Sequence, residues 1–158
     1  TFRDEYPDLT TGATKEKAKA LGANCLLFED FIMQEFNAGR ISKTAFTTSA
    51  EKIRLHGHCH QKSLAGTASP KLMLTLPENY RVEEIKSGCC GMAGSFGYEA
   101  EHYEVSMKVG ELVLFPEVRK TDAKTIIAAP GTSCRHQISD GTGRKALHPV
   151  EIFCESIL

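Results

Sequence analysis

Four short apolar runs, separated by stretches able to form helices, constrain the fold of this chain more than any other feature. They are "KIRLHG" from Lys52, "YRVEEIKS" from Tyr80, "KTIIAAPG" from Lys124 and "RKALHP" from Arg144. Each has strand length and ends in glycine, serine or proline. The third is apolar throughout, as expected of a strand covered on both faces. Strands alternating with helices predict an α/β fold, a mostly parallel sheet of about four strands sandwiched by helices. In such a sheet the loops that follow the strands share one edge, the C-terminal edge, where these folds bind ligands.

The helices between the runs are legible in outline. Ser69-Pro70 reads as an N-cap and first-turn pair opening "KLMLTL". "SFGYEAEHYEVSMKVGELVLF" reads as one long helix, capped by Ser95 and closed by Pro116, with Tyr98, His102, Val105, Val109 and Leu112 as its apolar or semi-apolar face. Pro149 starts a last helix with the stripe Val150, Phe153, Cys154 and Ile157. Ahead of the first strand, "TKEKAKAL" predicts a short helix stopped at Gly22. Asn24 then caps a second helix whose stripe is Cys25, Phe28, Ile32 and Phe36. Residues 1–158 are thus expected to form a single domain, with a helical part over 1–45 and an α/β part over 50–158.

A chain of 158 residues buries roughly 70% of its unfolded surface, so it needs neither metal nor disulfide merely to fold. Nineteen basic and twenty acidic residues, spread along the chain, leave a net charge of −1. That balance argues against nucleic acid or an anionic membrane as partner. No apolar run approaches the ~20 residues of a membrane span. The opening "TFRDEYPDLT" reads as mid-protein sequence, so the chain is expected to be a piece of a longer polypeptide.

Six cysteines stand at 25, 59, 89, 90, 134 and 154. With no secretion signal, they point to metal binding or catalysis rather than to disulfides. Cys25 and Cys154 fall in helical apolar stripes and are expected in the core. The other four follow strands: Cys59 the first, the adjacent Cys89 and Cys90 the second, Cys134 the third. All four are therefore expected to converge on one sheet edge. His56, His58 and His60 surround Cys59, His136 follows Cys134, and His148 ends the fourth strand at the same edge. His58, His60, His136 and His148 are subsidiary ligand candidates.

"GCCGMAGSFGYE" spans residues 88–99, and its glycines let backbone approach a bulky group and turn sharply. Gly88, Gly91, Gly94 and Ser95 are the expected cofactor-cradling positions, with a helix N-terminus nearby to stabilise thiolates. Gathered thiolates suit soft metals, zinc or iron–sulfur. No GKS or GKT follows the glycines, so a phosphate-binding loop does not fit.

That segment resembles the cysteine-rich CCG domain of the heterodisulfide reductase B subunit and of the iron–sulfur subunits of glycolate and lactate oxidases. "TFRDEYPDL", "HCHQKSL", "SCRHQI" and "LHPVEI" extend the likeness nearly end to end, to the second such domain of proteins that fuse an FAD-linked oxidase to an iron–sulfur oxidoreductase. The resemblance implies a 4Fe–4S or related cluster on Cys59, Cys89, Cys90 and Cys134. It implies electron transfer from an FAD-containing dehydrogenase domain or subunit that oxidises D-lactate, glycolate or another 2-hydroxy acid, onward to a downstream acceptor. It also implies a cytoplasmic setting, with any membrane contact peripheral, at the inner face and through partners. The pattern departs at Gly131, which stands where the first cysteine of a Cys-x-x-Cys pair would be. Four matching cysteines remain, enough for a 4Fe–4S cluster or for zinc. Two other readings stay open, a structural or regulatory zinc module and a thiol–disulfide enzyme using the Cys89–Cys90 pair.

Overall fold

The computed structural model describes every residue from Thr1 to Leu158. Strands β1 (Glu51–Leu55), β2 (Tyr80–Glu84), β3 (Ile126–Ala128) and β4 (Ala146–Leu147) form one parallel sheet in the order β2-β1-β3-β4. The helices are α1 (Glu5–Asp8), α2 (Gly12–Ala23), α3 (Phe28–Asn37), α4 (Cys59–Leu64) and α5 (Ala68–Leu74), then α6 (Tyr103–Leu112), α7 (Leu114–Lys120), α8 (Thr132–Thr142) and α9 (Pro149–Glu155). The α/β class and the four-stranded parallel sheet are those expected from the sequence.

Alternation along the strands divides the interior into two cores. Ile53, Leu55, Tyr80 and Ala128 join Ile32 of α3, Met73 and Leu74 of α5, and Ile152 and Phe153 of α9 on one face. Ile85, Ile127 and Ala129 join Leu114, Phe115 and Val118 of α7 and Ile138 of α8 on the other. Register follows from this: Ile53 lies opposite Val82 and Ile126, and Leu55 opposite Glu84 and Ala128. The chain leaves β1 for the outer strand β2 and returns past β1 to β3. The direction of winding therefore reverses between β1 and β3, and a crevice opens beyond their C-terminal ends.

Several local expectations are corrected. The long helix is broken into 3-10 turns at Phe96–Tyr98 and Ala100–His102, then α6, then α7 after a kink at Val113. Pro116 does not close a helix. It sits in the first turn of α7, where its missing N–H has no intrahelical acceptor to lose. Ser95 makes no capping hydrogen bond. Tyr98, Val105 and Leu112 are exposed, and α6 instead buries Ser106 and Gly110. The reason is close approach: a Cβ at Gly110 or Gly141 would collide with the Phe115 ring between them.

Asn24 caps the end of α2, donating from Nδ2 to the Ala20 carbonyl at 2.8 Å, rather than the start of α3. α2 accordingly runs through Gly22. The helix α5 opens two residues before Pro70, with Thr67 at its N-cap. Cys25 is only half-buried, and Cys154 is exposed because α9 turns Pro149, Ile152 and Phe153 inward. Helix α8 fills the stretch between the third and fourth strands and carries Cys134 in its first turn.

Candidate metal centre

At the crevice, three side chains from three different segments meet. His56 follows β1, Cys90 follows β2, and Cys134 is the third residue of α8. All three are buried, and one ligand atom of each lies within 4.8 Å of the other two. His56 is fully enclosed at 0% exposure. Its Nδ1 pairs with Ser87 Oγ at 2.8 Å, while its Nε2 is buried with no hydrogen-bond partner. A buried polar nitrogen without a partner is costly, and here it belongs to the same group as two sulfurs.

Strand alternation aims His56. Ile53 and Leu55 point into the first core, so Arg54 and His56 face α7 and α8. Arg54 does so through its ion pair with Glu117 of α7 at 3.1 Å. The cysteine loop is held by Gly91, whose φ of +105° is open to glycine and strained for other residues. A Cβ there would also run into the Ser106 carbonyl of α6. Gln137 of α8 locks that carbonyl, donating from Nε2 at 3.1 Å to it and at 2.8 Å to the Ser106 hydroxyl. Arg135 secures the approach to α8, donating to the carbonyls of Ala129 and Pro130 at 3.0 and 2.8 Å.

The inner thiols differ in charge. Cys90 is pulled down to about 4, first by the hydrogen bond from the Cys134 thiol and then by His56 and the Met92 amide. Cys134 is pushed up from the ordinary thiol value by the same hydrogen bond and by burial. The pair thus favours a thiolate at Cys90 that accepts a hydrogen bond from the Cys134 thiol.

The remaining candidates form an outer rank. Cys59, an exposed residue at the start of α4, and half-buried Cys89 interact through their thiols. Burial and then Cys89 raise the Cys59 thiol, and Cys89 Sγ accepts the Gly91 amide at 3.3 Å. His58 packs beside Gly131: a Cβ on Gly131 would lie 2.5 Å from the His58 ring and 2.9 Å from Cys134 Sγ. No side chain fits at 131 without displacing one of them. His60 turns outward, its Nε2 3.7 Å from Asp4. His136 is exposed and pairs through Nδ1 with the Tyr98 hydroxyl at 2.9 Å. His148 spends its Nδ1 on the Val150 amide as cap of α9, at 3.1 Å. Gly88 and Gly94 have open space around them, and Ser95 stands outside any long-helix N-terminus.

A cleft of about 620 Å³ adjoins the site, with His58, Gly131 and His148 on its near wall and Phe2, Cys25, Leu26 and Leu64 further out. Two thiols and an imidazole, with two more thiols beside them, are the donor set of borderline and soft metals such as zinc, cobalt and iron. The orphaned Nε2 of His56 and the absence of any room for a side chain at Gly131 both fit such a group. His56 is not among the ligand candidates that the sequence pattern singles out, although parity along "IRLHG" places it on the face of Cys90 and Cys134.

No protein-family model matches the chain, and no solved structure matches it. Curated relatives do. The chain is 30% identical over 158 residues to D-2-hydroxyglutarate dehydrogenase of Escherichia coli (strain K12) and 29% identical over 157 residues to that of Pantoea ananatis. It is 23% identical over 156 residues to the C subunit of the anaerobic glycerol-3-phosphate dehydrogenase of Escherichia coli (strain K12). Each alignment takes in 99% of this chain but 14%, 14% and 37% of the respective relative's length. The chain is therefore related to one part of larger dehydrogenases. No helix is long and apolar enough to cross a membrane.

Proposed function

We propose that this chain is an iron–sulfur electron-transfer domain of the CCG type, working within an FAD-linked dehydrogenase of 2-hydroxy acids. The observation that carries the reading is the meeting of His56, Cys90 and Cys134 at the crevice, with Cys59 and Cys89 paired beside them. The names of the relatives, both alcohol-oxidising dehydrogenases, favour an oxidoreductase setting over a free-standing zinc module. D-2-hydroxyglutarate is itself a 2-hydroxy acid, which narrows the substrate class.

A cluster held there would pass electrons singly. Oxidising a carbon-bound hydroxyl removes a hydride equivalent, which needs a flavin or nicotinamide. The glycine run "GCCGMAG" has no dinucleotide fingerprint, so the flavin is assigned to another part of the protein or to a partner. The chain's own residues hold and shield the relay. Cys90 and Cys134 would hold it from inside and Cys59 and Cys89 from the rim, and the Gly91–Ser106–Gln137 contact keeps the loop closed against α6.

Anaerobic reconstitution tests the proposal. The chain should take up about four iron and four sulfide, develop broad visible absorption and give an EPR signal on reduction. Cys90→Ser and Cys134→Ser should abolish uptake while the fold persists by circular dichroism. Chelation should likewise leave the circular dichroism spectrum intact. In a parent dehydrogenase carrying Cys90→Ser, substrate should still bleach the flavin while electron delivery to the acceptor stops. Colourless protein with stoichiometric zinc would overturn the iron–sulfur assignment, and loss of flavin bleaching would overturn the relay role.

A further inference from the structure

We propose that His56 is a direct nitrogen ligand of the metal centre, presented through Nε2 and oriented by Ser87. This shares two sulfurs with the reading above but stands on a separate observation: a fully buried imidazole whose inward nitrogen has nothing to meet but those sulfurs.

The hydrogen bonds permit the tautomer that a bound metal would select. Ser87 Oγ has the Ile85 carbonyl at 3.4 Å to receive its proton, which leaves an oxygen lone pair facing His56 Nδ1 at 2.8 Å. In that tautomer Nδ1 carries the hydrogen and Nε2 a lone pair within reach of the sulfurs of Cys90 and Cys134. An outer acceptor on one ring nitrogen and a metal on the other is the usual arrangement of a ligating histidine. Ser87 is itself fixed. Its amide donates to the Ile85 carbonyl at 2.7 Å, and its own carbonyl accepts from Lys62 Nζ at 2.8 Å. His56 is also pinned at the backbone, its amide donating to the Ala128 carbonyl of β3 at 2.8 Å. The imidazole is therefore preorganised from both sides of the sheet end.

Gly131 explains why a histidine serves. The position three residues before Cys134 is closed by His58 and by the Cys134 side chain itself, so no further thiolate can arrive from that loop. A neutral nitrogen in place of a thiolate lowers the negative charge on the centre and raises its reduction potential. That would suit a site that receives electrons.

The probe is cobalt(II) alone, loaded anaerobically into the full chain labelled with ¹⁵N-histidine and read by pulsed EPR. A directly bound imidazole nitrogen should be detected, should change with the isotope, and should vanish in His56→Gln while persisting in His58→Gln. Ser87→Ala should keep the coupling but weaken cobalt binding by about tenfold. Coupling retained in His56→Gln, or no cobalt bound by the parent chain, overturns the proposal. If His56→Gln fails to fold, unchanged cobalt affinity in Ser87→Ala overturns it independently. Iron and sulfide content on the same chain separates the two readings. Full cluster content without histidine coupling removes the ligand assignment and leaves the iron–sulfur reading. Histidine coupling without cluster content does the reverse.

Discussion

The two faces of the sheet are packed by similar numbers of apolar residues but end differently at the top edge. On the α3/α5/α9 face, the core built from Leu74, Ile152 and Phe153 gives way at that edge to the cleft lined by Glu29, His58, Gln61 and His148. On the α6/α7/α8 face, the core built on Phe115 and Ile138 runs directly into Cys90 and Cys134, with His56 alongside. One face ends in an open cleft and the other in buried donor atoms. The centre is thus an extension of one core, and its rigidity should depend on that core alone.

The largest test of that comparison is to empty each face in turn. Phe115→Ala should cost about 3–5 kcal/mol and Leu74→Ala about 2–5 kcal/mol, read from urea unfolding. The first should also loosen the cysteine loop and weaken cobalt binding. The second should leave binding unchanged in the fraction that remains folded. Equal loss of binding in both would break the comparison.

Gly91→Ala should act next in size. Its positive φ costs an ordinary residue about 1–3 kcal/mol, and the new Cβ would press on the Ser106 carbonyl. Buried Cys90, normally shielded from aqueous thiol reagents, should become reactive as the loop lifts from α6. A mutant with parental stability and a silent Cys90 would show that Gly91 does not hold the loop.

The inner thiols supply a pH test on the site-bearing face. Cys90 is depressed to about 4 in the fold, so between that value and the ordinary thiol range the folded chain binds fewer protons at Cys90 than the unfolded chain. Its contribution to stability is fully present above the ordinary thiol range and fades as pH falls towards 4. Cys134, raised in the fold, contributes below its ordinary value and loses that contribution as pH rises. The metal-free chain at neutral pH should show the ultraviolet absorbance of one buried thiolate, lost on acidification. Cys134→Ala should move that step upward, because the strongest donor to Cys90 is removed.

The smallest effects belong to the exposed ion pairs that decorate both faces alike. Glu35 with Arg40 and Glu111 with Arg119 are bidentate, and each carboxylate is held below its usual range by the arginine hydrogen bond. Solvent screens both pairs. Glu35→Gln and Glu111→Gln should leave the urea midpoint and cobalt binding where they were. A large shift from either would mean that surface charge, rather than core packing, supports the site.

What the sequence determined by itself is the strand pattern and hence the edge. Apolar runs with period two and a glycine or proline stop are local signals. Parallel pairing follows once helices lie between the strands, so the four post-strand cysteines fall on one side. The same local signals misread α6, because helical periodicity ranks residues by hydrophobicity, whereas Ser106 and Gly110 face inward for their smallness beside Phe115 and the cysteine loop. Cys154 went the same way, displaced by a one-residue rotation of α9 that only Phe153 and Ile152 finding their core could set. His56 was decided last and by tertiary structure alone. Its type and parity are written in "RLHG", but that its Nε2 has no partner except two sulfurs depends on three segments meeting at the point where the winding of the sheet reverses.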